Sequence, residues 1–388
     1  MAYRVRAVVV GPGYIGPVHV DALRRNGVDV VGLVGSGSDA GLARAAALGV
    51  PAYAALTDAL AAGPVDCVHL ATPNYLHAPL AREAIEAGKH VVCEKPLAMD
   101  AAEGAALLAL AEAAGVVHAV NFNFRYYALP RQTKALVEAG ELGPVTLIHG
   151  GYLQDWLLLP TDWNWRLDPD LGGGLRAVAD IGSHWLDLMG FVTGQHPVAL
   201  CADLATVVPV RQKPTRAVET FANKGAEPGG EPSAAEAPPI EIQTEDYASV
   251  LLRWSGGARG AMTVSQVSPG RKNRLWFEID GARAAAAWDA ERGEELWIGR
   301  RDGPNALLQR DPSLLAAEAR AVSAAPGGHA EGYVETHRAL FAAVYRAIAA
   351  GGPPERPDYP TFADGLRSLR LGEAIARSAA EGRWVDVA

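Results

Sequence analysis

The first third of the chain alternates short apolar runs with longer segments in which apolar residues recur at helical spacing. The short runs, rich in valine, fall at residues 5–10, 28–34, 65–70, 90–93 and 116–121. Continuous apolar runs are typical of strands that are covered on both faces. Helical segments fall between them, for example at 77–87 and 101–114. This alternation predicts an α/β domain built on a doubly wound parallel sheet.

A different pattern begins near residue 125. Alternating segments separated by tight turns predict a largely antiparallel sheet. The expected strands are 145–152, 197–208, 246–254, 258–267, 275–280 and 282–288, and the expected helices are 131–139, 333–350 and 362–381. We therefore expect two domains, 1–124 and 125–388. The second is expected to be an α+β domain with a large, mostly antiparallel open sheet, and helix 362–381 to pack back on the first domain. Residues 224–239, rich in Gly, Pro, Glu and Ala, are expected to form a surface insertion.

The first strand is followed at once by the glycine-rich run G-P-G-Y-I-G at residues 11–16, and then by a helical pattern. A G-x-G-x-x-G spacing between a strand and a helix is typical of a dinucleotide-binding Rossmann fold. Gly11 permits the tight turn, Gly13 lets a pyrophosphate approach the backbone, and Gly16 lets the helix pack on the strand. The free N–H groups at the start of the helix favour phosphates.

The residues after the second strand bear on the choice of cofactor. An acidic residue at this strand tip would bind the ribose of NAD, and an arginine would bind the 2′-phosphate of NADP. The sequence Gly35-Ser36-Gly37-Ser38-Asp39 has neither at the tip. Ser36 and Ser38 suit both cofactors, so the sequence leaves NAD and NADP open.

Other candidate binding residues follow the later strands of the first domain. They are Ala71, Thr72, Pro73, Asn74, Glu94, Lys95 and Asn121. Ligands of parallel sheets bind at the carboxyl ends of the strands. For Pro73 and Asn74, ordinary turn chemistry is the alternative interpretation. Lys95, between a buried strand and a proline, is not in the setting of a typical solvated lysine, and its pKa is open to perturbation.

The candidate catalytic segment follows three glycines at 172–174. Its apolar residues recur at helical spacing, so Asp180 and His184, four residues apart, are expected to share one face of a helix. A carboxylate beside an imidazole suits abstraction of a hydroxyl proton. A surface ion pair or a hydrogen-bonded core histidine is the alternative. Metal binding by His184 and Asp187 has little support, because no other ligands cluster nearby.

A loop dense in aromatic residues precedes this segment. It holds Tyr152, Trp156, Trp163 and Trp165, followed by Arg166. Isolated aromatic residues usually belong to a core, but this density also suits a sugar site, where indole rings stack on pyranose faces. Arg166 is expected either to bind a substrate or cofactor carboxamide or to form an ion pair.

The composition is that of an ordinary globular protein of 388 residues, 49% hydrophobic, with a net charge of −9. The negative charge gives no reason to expect nucleic acid as a partner. Three scattered cysteines suit a reducing compartment rather than disulfides or a zinc site. A strand-like run follows Arg4 and Arg6 at once, and no apolar run approaches the ~20 residues of a membrane helix. These features predict a cytoplasmic protein with neither a signal peptide nor a membrane partner.

The chain resembles the Gfo/Idh/MocA family, which includes glucose–fructose oxidoreductase and inositol dehydrogenase. The matching stretches are 11–16, 71–77, 88–98, 121–126, 173–188 and, more loosely, 328–333. The Glu-Lys-Pro sequence at 94–96 together with Asp180-x-x-x-His184 is a specific combination. The aromatic loop resembles that of the branch, including levoglucosan dehydrogenase, that oxidises glucosides at the third ring carbon.

The resemblance implies an NAD(P)-dependent dehydrogenase of a sugar, glycoside or cyclitol, with NAD slightly favoured. It implies a cis peptide bond before Pro96, homodimers or homotetramers formed through the second sheet, and catalysis by Lys95, Asp180 and His184. The implied cofactor-binding residues are Gly11, Gly13, Tyr14, Ile15, Gly16, Ser36, Ala71, Thr72, Pro73, Asn74, His77, Glu94, Lys95 and Asn121. The implied substrate-binding residues are Arg125, Tyr152, Trp156, Trp163, Trp165, Arg166, Asp180 and His184. No metal is expected.

Two other functions remain open. One is a redox-neutral glycoside hydrolase or lyase that oxidises a sugar transiently so that the glycosidic bond eliminates. The other is a cofactor-binding sensor without catalysis, which would have no need for Lys95, Asp180 and His184 together.

Overall fold

The computed structural model describes residues 4–214 and 239–387. The chain divides into two compact units, Met1–Tyr126 with Tyr333–Leu369 and Tyr127–Gly332 with Arg370–Ala388. The first boundary lies two residues beyond the expected domain 1–124, and the first unit also takes in a segment that the sequence pattern assigned to 125–388. The expected insertion 224–239 lies outside the described residues, except for Pro239.

The first unit is built on a parallel six-stranded sheet. Its strands are β1 (Arg6–Val10), β2 (Asp29–Val34), β3 (Ala52–Tyr53), β4 (Cys67–Leu70), β5 (His90–Cys93) and β6 (His118–Val120). They lie in the order β3-β2-β1-β4-β5-β6, and every neighbouring pair is parallel. The predicted doubly wound parallel sheet is confirmed, and its strand order reverses between β1 and β4.

The second unit contains a nine-stranded sheet and a small antiparallel pair of strands. Its strands are β7 (Val145–Leu153), β8 (Pro197–Ala205), β9 (Val210–Gln212), β10 (Pro239–Glu241), β11 (Tyr247–Trp254), β12 (Arg259–Ser265), β13 (Arg274–Gly281), β14 (Ala284–Asp289), β15 (Glu295–Arg300), β16 (Ala306–Gln309) and β17 (Val385–Asp386). The sheet order is β16-β15-β14-β13-β7-β12-β11-β8-β17, and β9 pairs with β10. Among the described strands of the nine-stranded sheet, β7 and β12 are the one parallel pair of neighbours, so the prediction of a mostly antiparallel sheet is confirmed.

Eleven α-helices occur among the described residues. They are α1 (Ile15–Arg25), α2 (Asp39–Leu48), α3 (Leu56–Ala62), α4 (His77–Glu86), α5 (Ala101–Ala114), α6 (Ala128–Glu138), α7 (Pro169–Gly172), α8 (Ser183–Thr193), α9 (Ala317–Arg320), α10 (Tyr333–Ala349) and α11 (Phe362–Glu381). Within the described ranges, no helix combines the length and the apolar character that a bilayer crossing requires.

The core of the first unit lies between its sheet and helices. Val8, Val68 and Val91 on adjacent strands are fully buried, as strands covered on both faces require. The start of α11 belongs to this core, since Phe362 is fully buried in it. The same helix passes into the second unit at Arg370.

The inner face of the nine-stranded sheet packs against the segment that carries α8. Burial alternates along the strands, as in β13, where Phe277 and Ile279 are fully buried. Trp185 on α8 donates its indole N–H to the carbonyl of Trp276 at 2.9 Å. A Cβ on Gly150 would lie 2.2 Å from that carbonyl oxygen and 2.7 Å from the indole nitrogen. The absent side chain at Gly150 therefore lets Trp185 reach the sheet.

Candidate active site

The glycine-rich turn joins β1 to α1, and its three glycines have different surroundings. Gly11 has a φ of +112°, and a Cβ there would lie 2.3 Å from the carbonyl oxygen of Ala71. A Cβ on Gly16 would lie 2.0 Å from the carbonyl oxygen of Gly11. A Cβ on Gly13 would meet nothing within 4 Å. Gly11 and Gly16 are thus required for packing, whereas Gly13 leaves space in which a ligand can approach the backbone.

The start of α1 suits a phosphate group. Tyr14 precedes the helix and is half exposed, and the first turn contains no acidic residue. The unpaired N–H groups of a first helical turn attract anions. A pyrophosphate therefore fits the turn in both shape and charge.

The tip of β2 carries only small polar residues. Ser36 is exposed. The hydroxyl of Ser38 accepts the N–H of Gly41 at 3.3 Å and caps α2, which begins at Asp39. Both serines are exposed, but Ser38 is engaged in capping, so Ser36 is the hydroxyl at this tip that suits a ribose.

The ends of β4, β5 and β6 lie side by side. Glu94 donates its N–H to Leu70 at 2.9 Å, and Asn121 donates its N–H to Cys93 at 2.8 Å. Glu94, Lys95 and Asn121 are all less than one-tenth exposed. The Lys95–Pro96 peptide bond is cis, as the resemblance implied. The predicted cofactor residues of three strands are thus brought to one edge of the sheet.

His77 connects two of these strand ends. It is fully buried at the start of α4, with Nδ1 2.6 Å from the carbonyl oxygen of Pro96 and Nε2 2.9 Å from that of Thr72. Burial lowers the pKa of His77 below its ordinary value. The ring therefore lies between the two loops that carry Thr72 and Lys95 and contacts the backbone of both.

Two buried polar atoms at this edge have no hydrogen-bond partner in the described structure. They are Oγ1 of Thr72 and Oδ1 of Asn121. Buried polar atoms are nearly always paired, so these atoms fit a site that a polar ligand completes. With the open space at Gly13, they are the observations on which the fit of a dinucleotide rests.

Arg125 has a structural partner in the first unit. Its guanidinium lies 3.0 Å from the carboxylate of Asp364 on α11. Burial by itself raises the pKa of Asp364, but Arg125, Arg367 and the N–H of Thr361 lower it to about 2. This ion pair gives Arg125 a role besides the predicted contact with substrate.

The segment with Asp180 differs from the predicted α-helix. Val178–Gly182 is a π-helical turn, and the α-helix begins at Ser183. A π-turn replaces i→i+4 bonds by i→i+5 bonds and is frequent at functional sites. The argument from α-helical spacing to a shared face for Asp180 and His184 therefore does not apply over this turn.

The start of this segment is anchored by buried charges. The carboxylate of Glu245 accepts the N–H groups of Arg176 at 2.9 Å and of Val178 at 2.8 Å. The Arg176 side chain pairs with Asp246, and both are fully buried. Arg211 pairs with the same carboxylate at 3.0 Å. Burial raises the pKa of Glu245, and the backbone donors oppose that rise.

The Asp180 carboxylate is held by two side chains. Nε of Arg166 lies 3.1 Å from Oδ1, and Gln266 donates its amide to Oδ2 at 2.8 Å. Arg166 also stacks on Trp165, 4.3 Å from the ring centroid. Of the two expectations for Arg166, the ion pair is observed. Gln266, directly after β12, was not identified from the sequence as a partner of Asp180.

His184 follows at the start of α8 and is 8% exposed. The ring of Tyr152 lies 6.4 Å from the imidazole centroid. The Tyr152 hydroxyl donates to Asn273, and burial raises its pKa well above the ordinary value. Tyr152 is therefore a neutral neighbour of His184.

The three tryptophans of the aromatic loop have different environments. Trp156 is 5% exposed, packs with Leu157 and Leu167, and donates its indole N–H to Gln154 at 2.8 Å. Trp163 and Trp165 are only partly buried. Two indoles of the loop thus keep accessible surface, and the third belongs to the core.

One group of histidine and acidic side chains close enough to share a metal ion occurs among residues 4–214 and 239–387. It consists of His149, Glu278 and Asp280. His149 and Glu278 are paired across β7 and β13, on the opposite face to the buried Phe277 and Ile279. The group therefore lies on the outer face of the sheet, not on the face against which α8 packs.

The parallel sheet with its glycine-rich turn defines a dinucleotide-binding fold. A family model for an oxidoreductase family with an NAD-binding Rossmann fold matches residues 5–122, and the model of the GFO/IDH/MocA C-terminal domain matches residues 130–287. The chain belongs to the Gfo/Idh/MocA family and is an NAD(P)-dependent oxidoreductase.

Several proteins of known name are similar to this chain over most of its length. Levoglucosan dehydrogenase of Pseudarthrobacter phenanthrenivorans is 31% identical over 331 residues, covering 83% of this chain and 80% of that protein. Inositol 2-dehydrogenase of Rhizobium meliloti is 25% identical and covers 99% of both chains. A levoglucosan dehydrogenase structure in complex with NADH and L-sorbose superposes with a TM-score of 0.87 at 27% identity, covering 99% of both chains.

Proposed function

We propose that this protein oxidises a secondary hydroxyl of a sugar, glycoside or cyclitol to a ketone, in a reversible hydride transfer with NAD or NADP. The observation that carries the proposal is the Asp180 carboxylate, held by Arg166 and Gln266 on the π-turn that leads directly into α8, where His184 is buried. In the first unit, Lys95 is buried just beyond the end of β5.

In this mechanism His184 removes the hydroxyl proton as general base. Asp180 stabilises the imidazolium, and Arg166 and Gln266 keep the carboxylate in place. Lys95 donates a hydrogen bond to the developing alkoxide. The bound nicotinamide supplies the hydride acceptor, which is chemistry of the cofactor. In the opposite direction, protonated His184 and Lys95 assist reduction of a ketone.

Glycosides and anhydro-sugars are the substrates we place first, with oxidation at the third ring carbon. Support comes from the levoglucosan dehydrogenase relatives and from the accessible indoles of Trp163 and Trp165, which suit the C–H faces of a pyranose.

The test is absorbance of the reduced nicotinamide. Purified protein is mixed with NAD or NADP and a panel of levoglucosan, glucosides, free sugars and inositols. We expect a signal that falls at least about a thousandfold in Lys95→Ala and in His184→Ala, since each removes a group acting in the transition state. His149→Ala, on the outer face of the sheet, is the control and should retain the wild-type rate.

The same reactions separate the alternatives. Cleavage of a glycoside without net reduced cofactor would replace the dehydrogenase by the redox-neutral hydrolase or lyase. Tight cofactor binding without either reaction, over the whole panel, would favour the sensor.

We also propose that the outer face of the nine-stranded sheet joins copies of this chain into a homodimer or homotetramer. Leu147 and Leu251 on this face are 46% and 53% exposed. A paired Leu147→Lys and Leu251→Lys variant is expected to be monomeric by light scattering, whereas wild type is oligomeric. A monomeric wild type would contradict this proposal.

We propose the cytoplasm as the location of this protein, because buried Cys67 and Cys93 are free thiols.

A further inference from the structure

A chain of buried polar side chains runs through the first unit, and the mechanism above does not use it. Oε1 of Glu94 lies 3.1 Å from Nε2 of His19. Nδ1 of His19 lies 3.0 Å from Nδ1 of His69, and Nε2 of His69 lies 3.0 Å from the hydroxyl of Tyr345. His19 and His69 are fully buried, and Tyr345 is 7% exposed. This chain of hydrogen-bonded side chains therefore links α1, β4 and α10 to the end of β5.

The donor in each contact follows from chemistry. Burial by itself raises the pKa of Glu94, but the hydrogen bonds and charges of His19, Lys95 and Asn121 lower it well below its usual range. Glu94 is thus a carboxylate that only accepts hydrogen bonds. Nε2 of His19 must carry a proton, and so must the nitrogen of Asn121 that faces Glu94.

The contact between the two histidines requires one proton between two Nδ1 atoms. Burial and the neighbouring His19 lower the pKa of His69 well below its ordinary value, so His69 is neutral. A neutral ring has one N–H and one bare nitrogen. Whether Nδ1 of His69 donates to His19 or accepts from it, Nε2 of His69 is matched by the Tyr345 hydroxyl, which both donates and accepts. Every ring nitrogen of the chain is thereby satisfied without a buried charge on His69.

The outer end of this chain of side chains is Asn121, which carries an unsatisfied hydrogen-bond acceptor. Nδ2 of Asn121 donates to Oε1 of Glu94 at 2.5 Å. This contact fixes the orientation of the amide and leaves Oδ1 of Asn121, a residue 2% exposed, without a hydrogen-bond partner in the described structure. Leaving a buried acceptor unpaired costs stability, so the site is complete only when a ligand donates to it.

The topology indicates which part of a dinucleotide lies there. The pyrophosphate binds at the turn after β1, and the adenosine ribose at the tip of β2. Asn121 follows β6, on the other side of β1 in the order β3-β2-β1-β4-β5-β6. The nicotinamide half, which carries carboxamide N–H and ribose O–H donors, lies on that side.

From this arrangement we infer that His19, His69 and Tyr345 are positioning residues. Through Glu94, they fix the Asn121 amide so that its Oδ1 accepts a hydrogen bond from the nicotinamide half of the cofactor. This inference rests on cofactor binding by the first unit.

The test compares two ligands. Dissociation constants are measured for NAD and for ADP-ribose, which lacks the nicotinamide. For His19→Phe we expect a rise of about tenfold for NAD, the size of one lost hydrogen bond to a charged group, and less than about twofold for ADP-ribose. Tyr345→Phe, which deletes one oxygen atom and leaves the packing intact, should raise the constant for NAD about threefold. His19→Gln, which returns an N–H donor near Glu94, should restore most of the wild-type affinity for NAD.

His337→Phe is the matched control. His337 is buried, and its ring lies 6.1 Å from that of His19. Its Nδ1 contacts the carbonyl of Tyr333 and not a member of the hydrogen-bonded chain of side chains. It should leave the NAD to ADP-ribose ratio unchanged. An equal rise for both ligands in Tyr345→Phe and His19→Phe, or a rise for neither, would overturn the inference. Because the ratio needs no turnover, it remains informative if the dehydrogenase activity is absent.

A second readout is ¹⁵N NMR of the imidazoles at pH 7. We expect His69 to show one protonated and one bare ring nitrogen. In Tyr345→Phe we expect the separate signals of these two nitrogens to be lost or averaged. A doubly protonated His69 would contradict the hydrogen-bond assignment.

Discussion

Two regions of the molecule are each stabilised in a different way. One is the cofactor edge of the first unit, at the ends of β4, β5 and β6, and the other is the segment of the second unit that carries Asp180. At the cofactor edge, Glu94 and Asn121 come directly from the ends of paired strands, and backbone bonds along β4, β5 and β6 bring them together. Asp180 depends on Arg166 and on Gln266, the latter 86 residues away in the chain. Parallel strand ends are a local consequence of the sequence pattern, whereas the carboxylate site requires the tertiary fold.

The two units also bury different titratable groups. The first unit buries histidines whose pKa is lowered, and the second buries arginines paired with Asp246. All nine tryptophans lie in the second unit. Tryptophan fluorescence therefore follows the second unit alone, and the units can be compared within one protein.

The largest effect is expected in the second unit. Arg176→Met should lower the free energy of unfolding by about 4 kcal/mol, because breaking a buried ion pair leaves Asp246 with half of its countercharge. The measurement is urea unfolding followed by tryptophan fluorescence. Arg259→Met, on an exposed side chain, is the control. A loss below about 1 kcal/mol, small for a buried pair, would show that Arg211 alone suffices.

The second comparison uses two glycines of one turn. Gly11→Ala should destabilise the first unit by about 3 kcal/mol, from the positive φ and the clash with Ala71. Gly13→Ala should leave the unfolding curve unchanged but weaken NADH binding at least about tenfold, since its methyl group occupies the space of the ligand. Circular dichroism and NADH fluorescence measure the two effects. Equal destabilisation by both changes would be evidence against separate roles.

Acid should destabilise the first unit selectively. Burial lowers the pKa of His118 and of His337 from 6.5 to about 4. The unfolded chain then binds more protons than the folded one, so stability falls as the pH drops from about 6.5 to about 4. At pH 5 each group contributes a loss of about 2 kcal/mol. Amide hydrogen exchange, corrected for intrinsic rates, should show lost protection in the six-stranded sheet before the nine-stranded sheet.

His118→Asn provides the control for this effect. Nδ1 of His118 accepts the N–H of Phe362 at 3.1 Å, and the Asn side-chain oxygen can replace it as acceptor without titrating. The acid sensitivity should decrease by about the contribution of one histidine. An unchanged pH dependence would exclude His118 as its source.

The smallest effect is expected from Gln266→Leu, which removes one donor from Asp180. Arg166 still pairs with the carboxylate, so kcat should fall about tenfold with little change in KM. Val267→Leu, next in the chain, is a control for packing. A fall in kcat as large as that of His184→Ala would mean that Gln266 contacts the reacting groups.

Local signals predicted much of the fold. The strand run at 90–93 and the helices 101–114 and 362–381 match the structure to the residue. The short strands β15 and β16 and the closing strand β17 were not anticipated, since two to six residues give little periodicity. Arg125 and Trp156 show the limit for single residues, because composition does not tell whether a side chain in a loop meets Asp364, a core or a ligand.

The sequence by itself determined the parallel sheet, the glycine turn and the strand ends that bring Glu94, Lys95 and Asn121 together, because these depend on contacts between neighbouring elements. Only the tertiary structure decided that Val178–Gly182 is a π-turn, that Glu245 caps it, and that Arg166 and Gln266 hold Asp180. Likewise, the pairing of His19 with His69 joins residues 50 apart in the chain. Such pairings are set by packing between distant segments, and residue spacing carries no information about them.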